Sequence, residues 1–227
     1  MQSYDIYELM ITPPNKKAEM ILEEMYNTEP NLNLVKDLIT LGANVHWMGT
    51  GNGNDEISLL HSCSTKKTLK IAKMLIDAGA DVNASGMNGF TPLHFFSSSS
   101  RISAAKFFIK HGAKLDIRDD YNCTPLYYAV KCGYPRMAEL LIDAGANVNV
   151  QDNLGLTPLH VCALTSNYDI SPSDPKRFFI LDDTNYISLE IAYILLEAGA
   201  DVTIKDYSGK LPYNLTDNSD FLEILEP

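Results

Sequence analysis

Three histidines, His61, His94 and His160, lie in the related stretches "LLHSC", "PLHFF" and "PLHVC". An imidazole in such a setting can act as a general base, as a metal ligand, or as a packed hydrogen-bonding group. Cys63 and Cys162 follow their histidines by two residues, and thiolate with imidazole is a zinc-binding pair of ligand types. Asp182 and Asp183 stand side by side, and carboxylates there would suit a small hydrolase with a site near residues 166–187. The run "GTGNGN", residues 49–54, has the glycine density of a phosphate-cradling loop but lacks the Gly-Lys-Ser/Thr ending that such a loop needs.

Spacing decides among these chemistries. "TPLH" begins at Thr91 and again at Thr157, with "TPLY" at Thr124 between them, so Pro92, Pro125 and Pro158 are 33 residues apart each time. Stepping back by the same interval from Pro92 reaches Leu59, in a stretch that keeps His61. A second landmark runs in step, "LGANV" at Gly42, "AGADV" at Gly79, "HGAKL" at Gly112, "AGANV" at Gly145 and "AGADV" at Gly199. The interval stretches to 37 around "MGTGNGN" and to 54 across residues 166–187. Both are read as insertions, the first as an enlarged turn and the second as a loop at "SPSDP".

Each unit should hold two helices. Thr91, Thr124 and Thr157 stand at a helix N-cap, and the proline that follows occupies the first helical position, where its missing N–H costs nothing. A second helix follows, as in "RMAELLIDAGA", where Met137, Leu140 and Leu141 are at helical spacing and Gly145 closes the end. Neither helix can bury its apolar face alone, so the units must stack.

These landmarks resemble the ankyrin repeat, whose period is 33 and whose signature is T-P-L-H-x-A. The resemblance implies an all-α solenoid of one domain, with β-turn or hairpin loops between helical pairs. An N-terminal capping unit is expected at 15–51 and repeats at 52–84, 85–117, 118–150 and 151–204, the last with its insertion at 166–187. A C-terminal capping unit is expected at 205–227. It further implies that His61, His94 and His160 are structural, each hydrogen-bonding between neighbouring turns, with Tyr127 in the histidine position of the middle unit. Cys63 and Cys162 then fall in packed helix interiors three to four units apart, and no metal and no cofactor is expected. Cys132 should be the exposed thiol. The segment "LIDAGADVN", ending at Asn83, is similar to sites that asparaginyl hydroxylase modifies in some ankyrin proteins.

The same resemblance places a partner-binding surface on the turn tips and the exposed side of the first helices. The residues assigned to it are Met87, Phe90, Arg118, Tyr121, Lys131, Leu154, Leu156, Leu164 and Tyr207. Phe95, Tyr128 and Val161, directly after the histidine position, are assigned to the core. Asp81, Asp119, Asp152 and Asp206 are assigned to the turns, where such side chains hold local hydrogen bonds. The stripe is expected to be partly apolar and ringed by acid. The insertion's Phe178, Phe179 and Ile180 should dock back over the helix junction.

Lys and Arg number 18 against 29 Asp and Glu, a formal net charge of -11, which opposes binding to nucleic acid or to anionic membrane. No stretch approaches the roughly 20 apolar residues of a membrane span, and the N-terminus carries acid where a secretory leader carries positive charge. The four cysteines form no C-x-x-C pair, which fits free thiols in a reducing compartment. The expectation is a cytoplasmic protein, or one delivered into a host cytosol, monomeric on its own. It would bind a protein partner without catalysis, as an adaptor, inhibitor, effector or immunity protein.

Overall fold

A computed structural model describes residues 5–50, 56–166 and 184–225. Helices dominate, and the chain forms two compact units. One unit is Met1–Leu93 with Ser103–Ala113, and the other is His94–Ile102 with Lys114–Pro227.

In the first unit, the short helix α1 (Ile6–Ile11) precedes α2 (Pro14–Tyr26) and α3 (Leu32–Thr40). Proline opens α2 at a position that needs no N–H. Its Ala18, Ile21, Leu22 and Met25, three or four residues apart, form the buried face. Asn31 caps α3, its Oδ1 accepting from Leu34 N at 3.1 Å. Lys17 is buried on α2 and donates from Nζ to Leu41 O at 2.7 Å, tying α2 to the end of α3.

The enlarged turn after α3 is framed by an antiparallel pair, β1 (Met48–Thr50) with β2 (Glu56–Ser58), in which Gly49 faces Ile57. The sequence reading missed these strands. The Trp47 ring lies across Gly49, where a Cβ would sit 2.0 Å from it, so the glycine makes room for the only tryptophan. The expected first helix at His61 is a 3₁₀ turn, Leu59–Ser62, because Ser-Leu stands where the other units have Thr-Pro. Helix α4 (Lys66–Asp77) then buries Ile71, Ala72 and Leu75 completely. Removing each large side chain from water contributes about 2 kcal/mol.

Helices α5 (Pro92–Ser98) and α6 (Ile102–Lys110) follow. The second unit then repeats one arrangement, with α7 (Pro125–Lys131), α8 (Pro135–Asp143), α9 (Pro158–Ser166) and α10 (Thr184–Glu197). First helices pack on first helices, α7 on α9, and second on second, α8 on α10. Met137, Ala138 and Leu141 from α8 and Ile191, Ala192 and Leu195 from α10 fill the layer between, all nearly inaccessible. Gly145 ends α8 at φ +100, while Ala146 N returns to Leu141 O at 3.0 Å. That left-handed closure is what glycine tolerates best. A 3₁₀ turn, Pro212–Leu215, packs on α9, and α11 (Ser219–Leu225) packs on that turn.

The segment carrying Phe178, Phe179, Ile180, Asp182 and Asp183 lies outside the described residues. The last residues of the expected insertion are already helical, since α10 begins at Thr184.

Candidate functional site

His61 and His160 are bound on both sides of the ring. His160 Nδ1 accepts from Thr157 N at 3.2 Å and faces Thr157 Oγ1 at 2.8 Å, so the proton is on Nε2, which donates to Lys210 O at 3.2 Å. His61 repeats the pattern, accepting from Ser58 N at 3.1 Å and donating to Phe90 O at 3.0 Å. His94 Nε2 donates to Cys123 O at 3.1 Å. Each acceptor is the carbonyl two residues ahead of the next unit's proline, so each imidazole links one unit to the turn after it. Burial lowers the pKa of His94 and His160 and outweighs the carbonyls that oppose it, which keeps both rings neutral near pH 7. Tyr127 fills the histidine position, and burial followed by the charges around Cys123 and Asp152 pushes its hydroxyl pKa up.

The described thiols are not set up as nucleophiles. Cys63 and Cys162 are fully buried and their thiol pKa values are pushed up by burial. Burial, then Asp119 and Asp152, raises that of Cys123 to about 12. Cys132 is exposed, yet partial burial of its sulfur holds its pKa above the ordinary value despite Lys131. A reactive thiolate requires the opposite shift. Among the described residues no cluster of three His, Cys, Asp or Glu side chains could hold a metal ion.

The turns of the second unit are built alike. Asp119 Oδ1 accepts from Tyr121 N and Cys123 N, both at 2.9 Å, and Asp152 Oδ1 accepts from Leu154 N at 2.8 Å and Leu156 N at 2.9 Å. Asp206 Oδ1 takes Ser208 N at 2.9 Å and Lys210 N at 2.8 Å. Desolvation acts to raise the Asp206 pKa, but these donors outweigh it and hold it below the usual range. Asp81 plays a lesser part at its own corner, accepting from Asn83 N at 2.9 Å. Asn83 also directs Nδ2 to Gly112 O at 3.4 Å.

Successive tips are joined through the backbone. Asn153 N donates to Tyr121 O at 3.0 Å, and Tyr207 N donates to Leu154 O at 3.1 Å. Gly155 has φ +80, and a Cβ there would lie 2.6 Å from Tyr207 N and 2.7 Å from Tyr207 Cδ1. The aromatic ring of one turn therefore leans on the bare backbone of the turn before it.

On this frame Tyr121, Leu154 and Tyr207 are 56%, 66% and 73% exposed. Leu164 and Lys131 lie at one register on α9 and α7, both exposed, as are Arg118 and, in the first unit, Met87. Lys131 Nζ stands 6.0 Å from the centre of the Tyr127 ring. Two expected tip residues belong elsewhere. Leu156 is buried and Phe90 half-buried, because the residue before each Thr-Pro closes the turn by pairing with its head. Leu156 O accepts from Asp152 N at 3.0 Å, and Phe90 O from Gly86 N at 2.7 Å.

Phe95 is also corrected, being 44% exposed where core was expected. Consecutive helical residues point about 100° apart, and in α5 it is Phe96 that turns fully inward. Val161 is buried as expected, and half-buried Tyr128 spends its hydroxyl on Asp119 Oδ2 at 2.6 Å. Among the acids of these turns, Asp119 and Asp152 are buried with oxygens turned onto backbone N–H groups, while Asp116, Asp120 and Asp201 are exposed. Lys210 was overlooked. It occupies the register of Phe90, Cys123 and Leu156 but is exposed, a departure visible only by aligning the truncated last unit.

The surface so formed offers fixed backbone and exposed apolar side chains, and no helix among the described residues is long and apolar enough to cross a membrane. No curated protein matches the chain. The family model described as ankyrin repeats (3 copies) matches residues 25–119, 59–152 and 120–171. Such repeats are generally protein–protein interaction modules and are typically non-catalytic. With its 33-residue units folded as stacked helical pairs and more than half its length matched, the chain belongs to the ankyrin-repeat family.

Proposed function

We propose that the second compact unit binds a protein partner through its turn tips and first helices, with Tyr121, Leu154 and Tyr207 as apolar anchors and Lys131 and Leu164 beside them. The chain then acts without catalysis, as an adaptor, inhibitor or effector, monomeric in a cytoplasm, with segments 15–51 and 205–227 serving as end caps. The observation that carries this reading is the exposure of three large apolar side chains on turns held by aspartate and turn-to-turn backbone hydrogen bonds. A rigid frame spends little entropy on binding, and exposed aromatic residues are the usual anchors of an interface. Met87, 47% exposed at a tip of the first unit, extends the same logic to that unit taken by itself.

The test is differential capture. The wild-type chain, a Tyr121→Ala/Leu154→Ala variant and a Glu139→Gln variant on α8 serve as baits under matched conditions. A partner held by the first and third baits and lost from the second supports the reading. Equal recovery with all three removes the tips from consideration.

A further inference from the structure

Helices α8 and α10 pack on each other and leave a groove of about 310 Å³, lined by Glu139 from α8 and by Leu189, Glu190, Tyr193, Ile194 and Glu197 from α10. Tyr193 is 52% exposed there, and Leu189 and Ile194 are half-buried. Glu190, Tyr193 and Glu197 follow one another at three- and four-residue steps, so they share one helix face. The two carboxylates therefore stand about 10 Å apart along the axis, with the ring between them. All three glutamates are exposed, and the ion pairs among the described residues, Lys16–Glu19, Lys67–Glu29 and Lys73–Asp77, involve none of them. The other charged residues of the two helices are Arg136 and Asp143, both exposed, and Lys131 and Asp201 flank them. Counted together, five acids face two cations.

We infer that this groove is a second binding surface, which takes a basic amphipathic helix of a protein partner. An apolar side chain of that helix lies against Tyr193, and Lys or Arg three or four residues to either side meet Glu190 and Glu197. The groove is on the second helices and the tip anchors are on the turns, so the two surfaces stand or fall separately. Its volume is at the lower end of the ~300–1,000 Å³ of small-molecule sites, which suits the entry of one or two side chains. Carboxylates spaced along a helix do not converge on one ion, and among the described residues no cluster could hold a metal. Several cations carried by one segment fit that spacing. Helix-in-groove recognition supplies the apolar anchor, and complementary charge fixes the register and rejects acidic segments and nucleic acid.

The test is selection of displayed random peptides on the full chain, followed by titration of the best synthetic peptide. Enriched sequences should set Lys or Arg three or four residues to either side of Leu, Phe or Met. Binding should weaken about tenfold in Tyr193→Ala and about tenfold or more in Glu190→Lys/Glu197→Lys. A peptide with its cations changed to glutamate should regain affinity for that charge-reversed variant. Tyr121→Ala/Leu154→Ala should bind the peptide as its parent does, and circular dichroism checks that each variant folds. No enrichment, enriched peptides without cations, or indifference to both groove variants overturns the inference. A peptide lost only from Tyr121→Ala/Leu154→Ala supports the tip reading and removes this one. Binding that emerges only in Lys176→Glu/Arg177→Glu also overturns it, since this chain's own segment would then fill the groove. So does a concentration-dependent dimer abolished by Tyr193→Ala, since a second copy would then be the occupant.

Discussion

Replacing His160 with alanine should be among the most damaging single changes in the second unit. The ring is fully buried, and Thr157, only 1% exposed, gives its N–H to Nδ1. Leaving that donor without an acceptor costs about 1–3 kcal/mol, and losing the Nε2–H bond to Lys210 about 1 kcal/mol more. Lys210 O keeps its bond from Asp206 N at 2.8 Å, so no second orphan is created. The cavity left by the imidazole adds about 1–2 kcal/mol, for a total of about 3–6 kcal/mol. For a chain of this size that is a fall in Tm of roughly 10 °C. Repeats couple mainly to their neighbours, so the loss should be local first. Urea unfolding by circular dichroism measures the total, and hydrogen exchange over residues 205–225 measures its location. Leu154→Ala, 66% exposed, serves as control, with a change of about 0.5 kcal/mol or less. A His160→Ala protein within about 0.5 kcal/mol of its parent, with unchanged exchange over 205–225, would refute the claim that this imidazole secures the following turn.

Acid should weaken the fold in two stages. Burial holds the pKa values of His94 and His160 below the unfolded value, so the unfolded chain takes up protons first, and stability falls as pH drops below about 6.5. Denaturation midpoints from pH 8 to 5 should show that slope, reduced in His94→Gln. A further loss follows below about pH 3.9, as Asp201, held low by Thr203, and Asp206 become protonated. Gly155→Ala should destabilise by about 1–3 kcal/mol in urea titrations, since it forces a left-handed φ on a side chain and drives a methyl into Tyr207. A disulfide exchange reagent should label Cys132 alone in the native protein, and Cys63, Cys123 and Cys162 only in denaturant. Fast native labelling of any of those three would contradict their burial.

The repeat was legible because its rules are local. Thr124 with Pro125 specifies a helix start, Gly145 a helix end, and the 33-residue interval between like landmarks requires stacking, while the role of the histidines came from the resemblance to ankyrin repeats. What escaped depended on neighbours. No local rule told Phe95 from Phe96, since both are apolar and only the packing of the helix selects the inward one. Leu156 looked like a tip because it stands just before Thr157-Pro158, but its carbonyl closes the turn onto Asp152 N and its side chain is buried. The hairpin around "GTGNGN" carries too few β-formers for its strands to announce themselves.

The backbone rungs at Tyr121 O and Leu154 O separate two jobs that most binding loops combine. Conformation there is dictated by peptide groups and by aspartates set two residues away, whereas the exposed side chains at 121 and 154 point away from the loop's path. Those two positions can therefore be exchanged almost at will without disturbing the architecture beneath, so a lineage carrying this chain could acquire a new target by a few substitutions and never pass through an unfolded intermediate.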